Sequence, residues 1–141
     1  MIPRYDFIII GAGIIGLALA HRLKERYPSS KILMLEKERD VAQHASGRNS
    51  GVLHAGFYYS AESLKARLTV EGNQRLKHYC QRKNLPLNCC GKLVVTANEQ
   101  EIEQLYELER RGQQNGVNVK ILTAQEAEHI DPNVQTYRYA L

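Results

Sequence analysis

Three sets of residues in this 141-residue chain have types and spacing suited to chemistry. The first is Gly11-Ala12-Gly13-Ile14-Ile15-Gly16, a GxGxxG pattern. The second is an acid, Glu36, 20 residues after Gly16. The third is His54, set in a polar stretch rich in small residues, Ser46-Gly47-Arg48-Asn49-Ser50-Gly51-Val52-Leu53-His54-Ala55-Gly56-Phe57-Tyr58-Tyr59. The glycines suit a phosphate-binding turn. The first permits a tight bend, the second lets backbone approach a pyrophosphate, and the third lets a helix pack closely on a sheet. A helix starting there offers N–H groups and its positive dipole end to the phosphates. A carboxylate at Glu36 can accept from ribose hydroxyls, and it disfavours a 2′-phosphate. The pattern therefore points to NAD or FAD rather than NADP, and does not itself choose between the two. A glycine-rich turn followed by a chance acid would read the same in isolation, so the surrounding elements decide.

Those elements have the required order. Tyr5 to Ile10 is short, apolar and β-branched, the pattern of a parallel strand buried on both faces. A helix is expected from Gly13 to about Arg26, with Ile14, Leu17, Ala18 and Leu23 near one stripe and Pro28 ending it. Lys31 to Glu36 reads as a second strand. The βαβ unit is 32 residues long, close to the usual size of such a crossover.

Lys37 to Ser60 has no sustained periodicity, and a connection this long in a compact domain tends to be functional. A helix is expected from about Ala61 to Lys83, with Leu64, Leu68, Leu76 and Cys80 as its inward stripe. Lys92 to Ala97 reads as a strand. Asn98 and Glu101 form a candidate capping box for a helix reaching Gln114, with a stripe of Ile102, Leu105, Tyr106 and Leu108 and a C-cap at Asn115-Gly116. Val117, Val119 and Ile121 alternate as a half-buried strand. Thr123 and Glu126 form a second capping box, and Tyr137 to Leu141 begins another strand.

Composition excludes other classes. Lys and Arg number 19 against 15 Asp and Glu, a net +4 without a basic block, so nucleic acid is not an expected partner. The longest apolar run, Phe7 to Ala20, is 14 residues with three internal glycines, too short to span a bilayer. Met1-Ile2-Pro3-Arg4 followed by Asp6 is a poor start for a signal peptide. Three cysteines without a CxxC pair exclude a disulfide framework, and Cys89-Cys90 is expected to pack as ordinary side chains. His21, His44, His78 and His129 lack ligand spacing, so no metal site is expected. A reducing, cytoplasmic compartment is the default.

The stretch Tyr5 to Gly16, the strand end Leu35-Glu36-Lys37 and the loop from Ser46 to Tyr59 together resemble the FAD-dependent oxidoreductases of the D-amino-acid oxidase superfamily. Asn49 to Tyr59, Ser63-Leu64-Lys65-Ala66 and Cys90-Gly91-Lys92-Leu93 resemble the L-2-hydroxyglutarate oxidase/dehydrogenase branch. The resemblance covers essentially the whole chain. Related glycerol-3-phosphate dehydrogenases typically carry Arg where Tyr58 stands here, a departure that argues against a phosphate substrate.

The resemblance implies an α/β fold, a Rossmann-like FAD-binding βαβ unit with part of a second, α+β substrate-binding lobe. Residues 1–60 would be the start of the FAD domain, 61–86 a helical segment of it, and 87–141 part of the substrate lobe. Members run well beyond this length, so an N-terminal fragment, truncated at its C-terminus and inactive alone, is expected. Gly11, Gly13, Ile15 and Gly16 would contact the ADP half of FAD, Glu36 the adenosine ribose, and Lys37 the adenine or ribose. Ser46, Asn49, Ser50 and Gly51 would run past the pyrophosphate and ribityl chain. His54 would lie near the flavin ring, as general base or as a packing and tethering residue.

The implied reaction oxidises a 2-hydroxy acid, L-2-hydroxyglutarate in particular, with hydride passing to flavin N5 and electrons then to oxygen or a membrane quinone. The quinone alternative leaves peripheral attachment to the inner face of the cytoplasmic membrane open. An amine or amino-acid oxidase of the same superfamily, and a non-catalytic nucleotide-binding fragment, are the competing readings.

Overall fold

In a computed structural model the described residues are 3–141; Met1 and Ile2, the start of the poor signal-peptide match, lie outside them. The chain divides into two compact units, Met1–Val52 and Leu53–Leu141.

In the first unit, β1 (Phe7–Ile10) and β2 (Ile32–Leu35) pair in parallel, with Phe7 opposite Ile32 and Ile10 opposite Leu35. Helix α1 (Ile14–Arg26) connects them, as the apolar–glycine–helical pattern requires. Its rotation differs from the expected stripe. Leu17, Ala20 and Leu23 are half-buried, whereas Ile14 and Ala18 are exposed. The cause is Gly16: a Cβ built there would stand 2.0 Å from the Gly11 carbonyl oxygen and 3.4 Å from Ile9 Cγ2. The helix turns its small residue toward β1, and the neighbouring isoleucines turn away.

The second unit holds α2 (Leu64–Lys83), α3 (Gln100–Gln114), β3 (Leu122–Thr123), α4 (Ala124–Ile130) and β4 (Tyr139–Ala140). Helix α2 starts on the Ser63 hydroxyl, which accepts from Ala66 N–H, and ends at Asn84 in the left-handed region (φ 51°). Its inward face is not the expected leucine stripe. Leu64, Leu68 and Leu76 are exposed, and Ala66 and Asn73 are the buried positions. Small and polar residues face inward because a loop backbone lies there.

Helix α3 buries Leu105, 2% exposed, with Ile102 and Leu108 half-buried and Tyr106 exposed. The expected Asn98–Glu101 box is shifted. The Asn98 side chain accepts from Gln100 N–H at 3.0 Å, and Glu101 accepts from Ala97 N–H at 2.8 Å. The expected C-cap is present at Asn115, followed by Gly116 at φ 70°. Phe57, Leu105 and Leu141 form the core of this unit, packed by Val94, Leu108, Val117, Val119 and Ile121 among others.

Two expected strands are weaker than their side-chain patterns. Residues 92–97 form a single bridge, Val95 to Ala140, although Val94 and Leu141 exchange both backbone hydrogen bonds. Val117, Val119 and Ile121 alternate with exposed Asn118 and Lys120, but strand pairing begins only at Leu122. Thr123 and Glu126 form the full capping box at α4. Cys89 and Cys90 are exposed rather than packed, because their segment lies outside the core. No helix among the described residues is long and apolar enough to cross a membrane.

Candidate functional site

The glycine turn of the first unit is built from backbone. Gly11 takes φ 97°, where a side chain would be strained, and its N–H bonds the Leu35 carbonyl at 2.7 Å. Ala12 N–H donates to Glu36 Oε2 at 2.7 Å. Glu36 Oε1 accepts from Lys37 N–H at 2.9 Å and Glu38 N–H at 3.1 Å. The Ala12, Glu38 and Lys37 bonds, with His44 nearby, hold the Glu36 carboxyl below its ordinary range against the opposing effect of burial. It is therefore an ionised brace between the end of β2 and the glycine turn. Oε2 keeps a further acceptor position, since a carboxylate oxygen accepts two bonds.

Ser46 supplies the missing cap of α1. Gly13, the N-cap residue, has no side chain, and Ile14 N–H donates instead to Ser46 Oγ at 3.0 Å. A Cβ on Gly13 would stand 3.1 Å from that oxygen. The N–H groups of Gly13, Ile15 and Gly16 have no partner among the described residues. Ala42 N–H bonds the Ala12 carbonyl at 3.1 Å, tying the following loop to the turn. The turn thus presents a run of N–H groups with no Cβ at Gly11 or Gly13, a cradle suited to an anionic diphosphate.

The other expected contact residues are in different states. Lys37 is exposed, with Nζ 3.8 Å from Glu38 Oε1. Asn49 Nδ2 donates to the carbonyls of Ser46 (2.9 Å) and Ala45 (3.2 Å), and its Oδ1 accepts from Gly51 N–H at 2.8 Å. Ser50 Oγ accepts from Val52 N–H at 3.4 Å. Asn49 shapes its own loop, a role its sequence neighbourhood did not distinguish from ligand contact. Ser46 and Glu36 brace the turn from 32 and 24 residues away.

The His54 segment belongs to the second unit and is held by a different device. Asn73, 8% exposed on α2, donates through Nδ2 to the carbonyls of His54 (3.0 Å) and Leu53 (3.2 Å). Asn115 at the end of α3 donates through Nδ2 to the carbonyls of Tyr59 (2.9 Å) and Gly56 (3.0 Å). Gly56, at φ 103°, packs so closely on α2 that a Cβ would stand 2.8 Å from Val70 Cγ2. Phe57 is buried, and Arg111 donates to the Tyr58 carbonyl at 3.2 Å. The His54 side chain itself is exposed. Residues 53–59 are therefore fixed through their carbonyls at both ends and through buried Phe57, leaving the His54 and Tyr58 side chains exposed. The sequence marks Asn115 as a helix cap only, and it does not mark Asn73. Each lies in or beside an ordinary helical stretch, and their partners are 19–20 and 56–59 residues away.

Comparison with known proteins identifies the family and the fold. A family model described as FAD dependent oxidoreductase (DAO) matches residues 6–141. The chain belongs to this family of oxidoreductases.

Within it, the chain is 50% identical over 113 residues to a protein named L-2-hydroxyglutarate dehydrogenase, mitochondrial, from Homo sapiens, covering 80% of this chain and 24% of that protein. It is 42% identical over 130 residues to L-2-hydroxyglutarate dehydrogenase of Escherichia coli (strain K12), covering 92% of this chain and 31% of that protein. Glycine oxidase from Geobacillus kaustophilus shares the fold, with a TM-score of 0.84 at 23% identity over 97% of this chain and 38% of that one. The chain thus spans about a quarter to a third of the length of these curated relatives.

Proposed function

We propose that residues 1–141 carry the dinucleotide-binding start of an FAD-dependent enzyme that oxidises L-2-hydroxyglutarate to 2-oxoglutarate. The observation that carries the reading is the braced glycine turn, three unpartnered N–H groups beside two positions without Cβ, in a chain 42–51% identical to proteins bearing that name. On this reading 1–60 and 61–86 belong to the FAD-binding domain and 87–141 to a substrate-binding lobe. The electron acceptor after the flavin is oxygen or a membrane quinone.

Gly13, Ile15 and Gly16 would hold the FAD diphosphate through backbone N–H groups, and Gly11, whose N–H is taken by Leu35, would contribute by the absence of a side chain. Glu36 would add a ribose hydroxyl to the bonds it already accepts, with Lys37 at the adenosine end. Ser46, Asn49, Ser50 and Gly51 would form the wall beyond the phosphates. When bound, FAD supplies the oxidant that takes two electrons from the substrate.

The chain's own contribution to chemistry is position and proton handling. The substrate loses the hydrogen on C2 and the proton of its hydroxyl. His54, outward-facing on a segment whose carbonyls are anchored, is the group we assign to receive the hydroxyl proton. A fixed loop matters because small displacements of a reacting group cost large factors in rate.

The test is turnover by the intact protein with an artificial electron acceptor. L-2-Hydroxyglutarate should be oxidised, and its D enantiomer, glycine and other amino acids should not. Turnover of an amino acid in preference to the hydroxy acid would replace this reading with the amino-acid oxidase alternative.

A further inference from the structure

Tyr58 and Lys92 are 34 residues apart in sequence and meet in the second unit. Lys92 Nζ donates to the Tyr58 hydroxyl at 3.0 Å. The same ammonium lies 4.7 Å from the centroid of the Tyr58 ring and 6.0 Å from that of Phe57. Phe57 is buried in the core, and the Tyr58 carbonyl accepts from Arg111, so the platform under the ammonium is fixed.

Its charge is handled differently from that of several other cations of this unit, and like that of Lys65, which lies 4.4 Å from the centroid of the Tyr59 ring. Arg110 and Arg111 share Glu107, Lys120 pairs with Glu126, and Arg138 pairs with Glu99. Among the described residues no carboxylate pairs with Lys92. Aromatic faces hold a cation without neutralising it. The ammonium has three donors, of which one is used on Tyr58. The Tyr58 oxygen accepts that bond, so its own O–H proton has no acceptor among the described residues. The pair therefore presents an uncompensated positive charge, two N–H donors and one O–H donor, all on exposed side chains. That set matches one carboxylate group, whose two oxygens accept up to four bonds.

We propose that the Lys92–Tyr58 pair binds a carboxylate of the substrate. Tyr58 lies four residues after His54 on the same anchored segment, so the loop that carries the proton acceptor also carries half of the anion site. The proposal rests on the reading of a carboxylic acid substrate given above. Lys92 acts in binding rather than in the chemical step, because its charge is present equally before and during oxidation.

The experiment uses Lys92→Met, Lys92→Arg and Tyr58→Phe in the intact flavoprotein. KM and kcat for L-2-hydroxyglutarate are measured, together with the Kd of glutarate, an unreactive dicarboxylate, from its perturbation of the flavin spectrum. Loss of a charge-assisted carboxylate contact should raise KM and the glutarate Kd of Lys92→Met by roughly 10- to 150-fold, with kcat within about threefold. Lys92→Arg should recover most of the affinity, and Tyr58→Phe should lose less than Lys92→Met.

KM and Kd within about twofold of the parent in Lys92→Met would overturn the proposal, as would a fall in kcat with both unchanged. Lys92 is exposed, so an unaltered thermal transition is expected and separates lost binding from lost folding. If the parent oxidises an amino acid instead, the functional reading fails, and the same KM comparison on that carboxylate still decides the role of Lys92. A parent whose flavin does not respond to any of these carboxylates overturns both.

Discussion

The two units hold their functional backbone by opposite chemistry. In Met1–Val52 the segment to be held is a turn of N–H groups, and the braces are oxygen acceptors: Glu36 takes Ala12 N–H and Ser46 takes Ile14 N–H. In Leu53–Leu141 the segment presents carbonyls, and the braces are amide donors: Asn73 takes two and Asn115 takes two. Acceptor braces leave other N–H groups of the turn facing outward, which suits an anion. Donor braces occupy the carbonyls and leave His54 and Tyr58 exposed on a fixed track. One unit leaves main-chain N–H groups unpartnered and the other leaves side chains exposed.

Glycine replacement is the harshest way to break the first arrangement. Gly16→Ala places a methyl 2.0 Å from the Gly11 carbonyl oxygen, a backbone atom that moves only with the turn. Loss of bound flavin is expected, with about 1–3 kcal/mol or more of stability, read by the 450 nm absorbance of the purified protein and by urea unfolding. Gly13→Val also disrupts the cradle, and its nearest obstacle is the more movable Ser46 hydroxyl at 3.1 Å.

The second arrangement is broken at Asn73. Asn73→Ala strands the Leu53 and His54 carbonyls and should cost about 1–3 kcal/mol in urea unfolding. The first unit's flavin affinity should be less affected than in Gly16→Ala. Flavin reduction should slow as His54 loses its anchor, and an unchanged reduction rate would make Asn73 a matter of stability alone.

Acid separates the two units further. Glu36 has a lowered pKa, so the stability it contributes is fully present above the ordinary carboxylate value and is lost as pH falls through the depressed one. Flavin retention should weaken over that acid window, and Glu36→Gln should flatten the dependence while weakening binding at neutral pH. The asparagine braces carry no titrating group and predict no such dependence for the second segment. Glu107, held at about 2 by Arg110 and Arg111, stays ionised through most of that window.

The smallest effect sharpens the contrast between glycines. Gly72 sits in α2 with nothing within 4 Å of a built Cβ, and Gly72→Ala should stabilise by about 0.5–1 kcal/mol without altering flavin content.

Legibility follows whether a pattern is written in consecutive residues. The βαβ unit, the glycine turn and the Thr123–Glu126 box each have such a pattern, even though the turn's Glu36 and Ser46 braces lie 24 and 32 residues away. The inward faces of α1 and α2 were misjudged because apolar periodicity assumes that the largest residues face the core. Here Gly16 and Ala66 face inward to admit backbone, and Leu64 turns outward at 61% exposure. The Asn73 and Asn115 braces and the Lys92–Tyr58 pair join residues 19 to 59 apart, and nothing in the local sequence marks their partners.

The central claim is that the braced turn holds FAD in an enzyme that oxidises a 2-hydroxy acid. Its most direct test is anaerobic titration of the intact flavoprotein with L-2-hydroxyglutarate, following the flavin band while 2-oxoglutarate is quantified. The account predicts that the flavin bleaches with one 2-oxoglutarate formed for each flavin reduced. A flavin that stays oxidised, or one reduced by an amino acid and not by the hydroxy acid, would contradict it.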